Sequence, residues 1–135
     1  MKVQKQEVVF SFLTASKYDE IALRKGLRTM YGLMGAVRDE FKRIELVQGK
    51  SAEDFKDDDM HDFSIELNLA ETFAMFQSTL GLTEKEADAL LSLELKEKTA
   101  MQLASEILVT FMGSSLFQAS LIKGADVNPK SPKQA

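Results

Sequence analysis

The sequence has no cysteine, one histidine and only two prolines, both near its end. Without cysteine it can form no disulfide framework, thiolate metal site or cysteine nucleophile. The single histidine, His61, stands among acidic residues and supports neither a histidine zinc site nor a Ser-His-Asp set. No apolar run approaches the roughly 18 residues that a membrane span needs, and the opening residues do not resemble a signal peptide. We therefore expect a cytoplasmic protein with no membrane segment.

The composition indicates a single folded domain. Of the 135 residues, 44% are hydrophobic and 28% are charged, which is typical of globular chains long enough to bury a core. The net charge of −4 disfavours contact with a phosphate backbone, and the basic residues between 17 and 43 are interspersed with acidic ones. Neither a phosphate-binding loop nor a dinucleotide-binding glycine motif is present. We predict no catalytic, cofactor-binding or metal-binding residues, no enzyme activity and no nucleic-acid partner.

The first half of the chain predicts an extended arm followed by one long helix. Residues 1–15 form the arm, in which the strand-like stretch 6–13 must pair within the chain, pair with another copy or lie on the helices. Ser16 has the character of a helix cap, with Asp19 and Glu20 at the positive end of the helix dipole. No proline interrupts the chain from there to about Val47, although three glycines weaken the helix.

A heptad stripe runs along this predicted helix. Its apolar residues advance alternately by four and three positions: Leu23, Leu27, Met30, Met34, Val37, Phe41 and Ile44. A helix of about 30 residues would be about 45 Å long, more than the width of a domain of this size. Either it bends near its glycines, or part of it projects and packs on another chain. In the second case the contact residues would be Leu27, Met30, Met34, Val37 and Phe41; in the first, the stripe is ordinary core.

Shorter helices are predicted after a polar, acidic break at 48–62, whose spacing does not fit a calcium loop. A helix over 63–80 ends at Gly81, Thr83 and Glu86 cap a third helix that reaches about residue 91, and a fourth covers 96–112 before Gly113. Leu69 is predicted to share one apolar face of its helix with Phe73 and Phe76, and Ala104 is among the residues predicted to face inward. The fold class is thus mainly α: a small bundle with one long N-terminal helix behind an extended arm. The helical domain spans 16–123, and 124–135 form a flexible tail.

The order of these parts resembles the tail assembly chaperones of long-tailed bacteriophages and prophages. The resemblance covers most of 6–113 and is carried best by Leu-Gly-Leu-Thr-Glu at 80–84 and by the helix end at 107–113. It implies a chaperone without enzyme activity that coats the tape measure protein in the host cytoplasm, self-associates and is displaced by tail tube protein. It also implies a frameshifted longer product that would branch near Lys123. A small helical regulatory or immunity-type protein that sequesters one protein partner explains the composition equally well.

Overall fold

The computed structural model describes residues 1–48 and 65–118, which form a small helical bundle behind a short β-hairpin. The elements are β1 (Lys2–Val3), β2 (Gln6–Glu7), α1 (Phe12–Lys25), α2 (Met30–Gln48), α3 (Leu69–Leu80), α4 (Glu84–Glu94) and α5 (Ala100–Met112), followed by a helical turn at 115–118. The mainly α class with an extended start is confirmed. The acidic break beyond residue 48, His61 and the predicted tail 124–135 lie outside the described residues.

The N-terminal arm pairs with itself. Strands β1 and β2 are antiparallel, with Lys2 opposite Glu7 and Val3 opposite Gln6. The two residues between them, Gln4 and Lys5, have φ angles of 48° and 71°, so both occupy the left-handed region that a two-residue hairpin turn requires. Of the strand predicted at 6–13, only Gln6–Glu7 is a strand. It pairs within the chain, with the earlier strand β1.

Helix α1 begins at Phe12 behind its cap Ser11, five residues before the predicted cap at Ser16. The Ser11 Oγ accepts a hydrogen bond from the Thr14 N–H at 3.2 Å, and the Thr14 Oγ1 accepts one from the Ser11 N–H at 2.9 Å. This reciprocal pair satisfies two N–H groups that would otherwise lack a partner. The prediction of a cap at Ser16 is therefore wrong, because Ser16 lies inside the helix. The end of the predicted arm at residue 15 also falls within α1.

The predicted long helix is two helices. Gly26 ends α1 in the left-handed conformation, with φ at 70°, and the Leu27 N–H bonds back to the Ala22 carbonyl at 2.9 Å. The chain then runs without regular structure to Met30, where α2 begins. The Asp19 carboxylate, in the middle of α1, accepts the Met30 N–H at 2.7 Å. Asp19 was expected at the start of α1 but stabilises the start of α2 instead, and the bend near the glycines is the alternative that holds.

Arg28 ties this bend to the start of α3. Its guanidinium makes two hydrogen bonds to the Glu71 carboxylate, at 2.8 and 2.7 Å, and a third to the Glu66 carbonyl at 2.8 Å. The Arg28 carbonyl accepts the Tyr18 hydroxyl at 2.9 Å. Glu71 is only 1% exposed and also forms a capping box with Asn68. One buried carboxylate therefore stabilises both the α1–α2 connection and the first turn of α3.

The ionisation of Glu71 follows from these partners. Burial alone would raise the pKa of this carboxyl, but the hydrogen bonds from Arg28 and the Asn68 N–H outweigh it and hold the pKa below its ordinary value. Burial, together with the nearby negative charge of Glu71, raises the pKa of the Tyr18 phenol. Glu71 is therefore ionised and Tyr18 is neutral across the physiological pH range.

Helix α3 is central to the bundle and packs against α1, α4 and α5. It runs antiparallel to α1, since Val9 bonds to the Thr79 carbonyl at one end and Arg28 bonds to Glu71 at the other. Gly81, with φ at 68°, ends α3 as predicted, and the Thr83–Glu86 capping box that starts α4 is confirmed. Elsewhere the boundaries shift: α3 begins at Leu69, α4 extends to Glu94, and α5 begins at Ala100 behind its cap Thr99.

A row of four phenylalanines closes the core. The Phe10 ring packs at a tilt against Phe111 with centroids 5.4 Å apart. The Phe117 ring lies 5.3 Å from Phe111 and 6.2 Å from Phe41. Centroid separations of about 4.5–7 Å are those of favourable aromatic pairs. The row joins the N-terminal arm, α5, the last helical turn and α2 into one apolar interior.

Replacing the buried carboxylate should reveal how much the bend depends on it. We expect Glu71→Gln to lower the free energy of unfolding at pH 7 by about 2 kcal/mol, because the charged hydrogen bonds to Arg28 are lost in a buried place. Because folding lowers the pKa of Glu71 from 4.5, its contribution is present above that pH and is lost as the pH falls through the folded-state pKa. Denaturant unfolding at several pH values should therefore show the two proteins converging in acid. Glu20→Gln, at an exposed carboxylate, is the control and should match wild type throughout.

The hairpin turn offers a stabilising substitution. Lys5 has a left-handed backbone conformation, which costs free energy for a residue with a Cβ atom but not for glycine. Lys5→Gly should therefore stabilise the fold by about 0.5–1 kcal/mol. Thermal unfolding followed by circular dichroism measures the effect. Lys2→Gly is the matched control: Lys2 lies in an ordinary strand conformation, and the same substitution there should lower the melting temperature.

Candidate protein-binding surface

The residues of the heptad stripe lie in the core of the monomer. Met30, Met34 and Val37 are buried, Met34 with 5% of its surface exposed, and Leu27 and Phe41 are half-buried against the same core. The chain turns at Gly26, so the two halves of the stripe no longer share one straight helix face. The expectation that these five residues are exposed is therefore wrong. As contacts for a partner they would first have to be uncovered.

Apolar side chains are exposed elsewhere on the surface. The large ones in the described residues are Val9, Phe12, Leu13, Leu23, Tyr31, Leu46, Leu69, Leu93, Leu95 and Met101. Single exposed apolar residues are common on soluble proteins, whereas a continuous exposed patch indicates a binding surface. Three of the set, Leu69, Leu95 and Met101, line adjoining clefts on one side of the bundle.

We call these two clefts together the α3–α5 groove. The first lies between α3, α4 and α5 and is lined by Phe73, Phe76, Leu91 and Leu95, among others. The second, about 590 Å³ in volume, lies between residues 65–69 and the outer face of α5, where Met101, Ala104 and Leu108 line it. Leu69 and Ala100 line both clefts, which makes the groove continuous.

The side chains that α3 and α5 contribute to the groove form a second apolar stripe on each helix. On α3, Leu69, Phe73 and Phe76 recur at helical spacing, and on α5 Met101, Ala104 and Leu108 do the same. The opposite sides of these helices face the core, where Ala74, Met75, Ile107 and Phe111 are fully buried. Leu69, predicted to share a face with Phe73 and Phe76, is 72% exposed, and Met101 is 75% exposed.

Charged residues of both signs stand at the groove. Two acidic residues are among those that line the groove, Glu66 in the second cleft and Asp88 in the first, and both are exposed. Among the described residues that line the two clefts, none is a lysine, an arginine or a histidine. Two cations stand close by, however: the Lys25 ammonium lies 5.9 Å from the centroid of the Phe73 ring, and the Arg28 guanidinium bonds to the Glu66 carbonyl at 2.8 Å. The groove therefore combines apolar walls with charges of both signs at its edges.

Two kinds of site are not found in the part of the chain that the structure describes. Residues 1–48 and 65–118 contain no group of three or more His, Cys, Asp or Glu side chains placed to hold a metal ion. No helix within these ranges has the length and apolar character needed to cross a bilayer.

Comparisons with known proteins leave the family open. No family model matches the chain, and neither a characterised protein nor a solved structure is significantly similar to it. The resemblance to tail assembly chaperones is therefore a prediction from the order of the sequence elements.

Substituting a buried residue of the heptad stripe should unfold the monomer rather than leave the fold intact. We expect Met34→Asp to cost several kcal/mol, about 3 or more, because it places an ionisable group in the apolar core. The readout is the cooperative thermal transition by circular dichroism. Leu23 belongs to the same stripe but is 71% exposed, so Leu23→Asp should change stability by no more than about 1 kcal/mol. Equal melting temperatures for Met34→Asp and wild type would contradict the burial of this residue.

Proposed function

We propose that this chain is a non-enzymatic tail assembly chaperone that binds the tape measure protein of a long-tailed phage or prophage in the bacterial cytoplasm. The observation that carries the proposal is the α3–α5 groove, a continuous apolar surface on the outside of a bundle whose own core is closed. The order of sequence elements, with its resemblance to this chaperone family, supplies the identity of the client.

An exposed groove of this kind suits a protein that shields apolar surface on another chain. Covering apolar area is favourable by about 25 cal/mol for each Å² removed from water, and Leu69, Leu95 and Met101 leave that gain available to a partner. Each such contact contributes only a small binding free energy. A long helical client that offers many such contacts is coated by many copies, each of which can be displaced singly by tail tube protein.

Self-association is the second part of the proposal. Phe12 and Leu13 at the start of α1, and Tyr31 on α2, are exposed and do not line the groove. A copy bound to the client through the groove would keep these side chains available for a neighbouring copy. The chaperone could then form an array along the client.

Co-expression with the client tests the proposal. The tape measure protein should be insoluble alone and soluble with this chain, and the complex should contain many copies of the chain for each client. Size-exclusion chromatography with light scattering measures both the stoichiometry and the mass of the free protein, which should rise with concentration.

Two results would contradict the chaperone. A strict monomer that leaves the client insoluble would exclude it. A tight complex of one copy with one small partner would instead favour the regulatory or immunity-type protein, because sequestration needs a single high-affinity site rather than repeated weak ones.

A further inference from the structure

We infer that the outer face of α1 pairs with the same face of a second copy, so that two chains form an antiparallel, two-fold symmetric dimer. The inference rests on the self-association in the proposed function and specifies the surface that two copies share and its orientation. It is carried by apolar side chains exposed at both ends of one helix and by the charges that lie between them.

Helix α1 exposes three large apolar side chains on the side that faces away from the bundle. Phe12 and Leu13 in the first turn are 83% and 66% exposed, and Leu23 in the last full turn is 71% exposed. Phe12 and Leu23 lie about three turns apart and therefore on the same face of the helix. The residues buried on the opposite face are Ala15, Tyr18, Ile21 and Ala22. The outer face thus offers apolar surface at each end.

The middle of this face is polar and carries both signs of charge. Ser16, Lys17 and Glu20 are all exposed there. Within residues 1–48 and 65–118, neither Lys17 nor Glu20 forms an ion pair. Asp19 and Lys25, at the edges of the face, already have partners in their own chain. One ammonium group and one carboxylate therefore remain for a neighbouring molecule.

An antiparallel pair of α1 helices matches both features. With Phe12 of each copy level with Leu23 of the other, the apolar ends cover each other. Lys17 is then displaced from Glu20 of the second copy by two residues, about 3 Å along the axis, which a lysine side chain spans. Arg24 lies level with the first turn of the second copy, where a guanidinium packs favourably on the Phe12 ring. A parallel pair would place Lys17 beside Lys17 and Glu20 beside Glu20, so the charges select the antiparallel pair.

The size of the face indicates a weak dimer. Helix α1 has 14 residues and is therefore about 21 Å long. A stable dimer buries about 800 Å² on each partner, from some 20–30 residues, and one face of one helix supplies less. Free copies should therefore pair only at micromolar concentrations or above. A client that holds many copies side by side would raise their local concentration and favour the pairing.

A matched pair of leucines tests the location. Leu23 and Leu69 are 71% and 72% exposed, but Leu69 lines the α3–α5 groove instead of the outer face of α1. Sedimentation equilibrium of the full-length protein, over about 5–500 µM, measures the dissociation constant of the dimer. Leu23→Asp should weaken the dimer at least about tenfold, whereas Leu69→Asp should leave it unchanged.

Both leucine variants should keep the helical circular dichroism signal and the melting temperature at low concentration, since neither side chain belongs to the core. Wild-type protein that stays monomeric over the whole range would overturn the inference. So would equal weakening by the two substitutions, and loss of the dimer in Leu69→Asp alone would place the second copy in the groove.

A charge exchange tests the orientation. Lys17→Glu and Glu20→Lys each place like charges opposite one another twice in the dimer, so each variant alone should dimerise about three- to tenfold more weakly than wild type. An equimolar mixture of the two should recover the affinity, because one copy then carries both carboxylates and the other carries both ammonium groups. Added salt should reduce these differences.

Lys85, an exposed lysine on α4, supplies the control for net charge. Mixing Lys85→Glu with Glu20→Lys combines the same net charges as the first mixture but restores no contact on α1, so it should not recover the affinity. Equal recovery in the two mixtures, or none in the first, would overturn the antiparallel pairing.

Two further outcomes separate this dimer from the proposed function. Wild-type protein that dimerises through α1 as described but leaves the tape measure protein insoluble supports the dimer and contradicts the chaperone. Wild-type protein that solubilises the client, with self-association that Leu23→Asp does not change, overturns the dimer and leaves the chaperone standing.

Discussion

The ion pair between Arg28 and Glu71 is the interaction on which the arrangement of this bundle depends. It joins the four-residue connection between α1 and α2, which has no regular structure of its own, to the first turn of the central helix. A buried carboxylate without a cation would be costly, and so would a bend whose polar backbone groups had no partners. Arg28 keeps the buried Glu71 carboxylate ionised. Glu71 in turn holds the bend in the position from which α2 packs against the core.

This bend decides which apolar residues are available to other molecules. Had the helix continued past Gly26, the heptad stripe would have extended beyond the other helices and formed a natural contact for another chain. With the bend, Met30, Met34 and Val37 become interior residues. The exposed apolar surface lies instead on the sides of α3 and α5 that line the groove. Each of these helices has apolar residues on two faces, and the other helices of the monomer cover only one of them.

The parts that could be predicted from the sequence are those governed by neighbouring residues. Gly81 and the Thr83–Glu86 pair lie within one turn of the ends they determine, so their spacing was sufficient. Ser11 and Ser16 both precede helical sequence, and only the reciprocal bond with Thr14 distinguishes them. Predicting the left-handed turn at Gly26 would have required knowing that Arg28 and Glu71, which are 43 positions apart, form an ion pair. The groove was not predicted because periodicity reveals that a helix has apolar residues, not which of two apolar faces its neighbours cover.

The row of phenylalanines has a consequence for how the chain is made. Phe10 has Phe111 as its ring partner, so almost the entire described sequence lies between the two. Contacts this far apart in sequence require a long loop to close before they contribute anything, and they form slowly. During synthesis the ribosome releases Phe10 long before Phe111 exists. The N-terminal arm can bond to α3 through Val9 before then, but the Phe10 ring has no Phe111 to pack against until α5 has emerged.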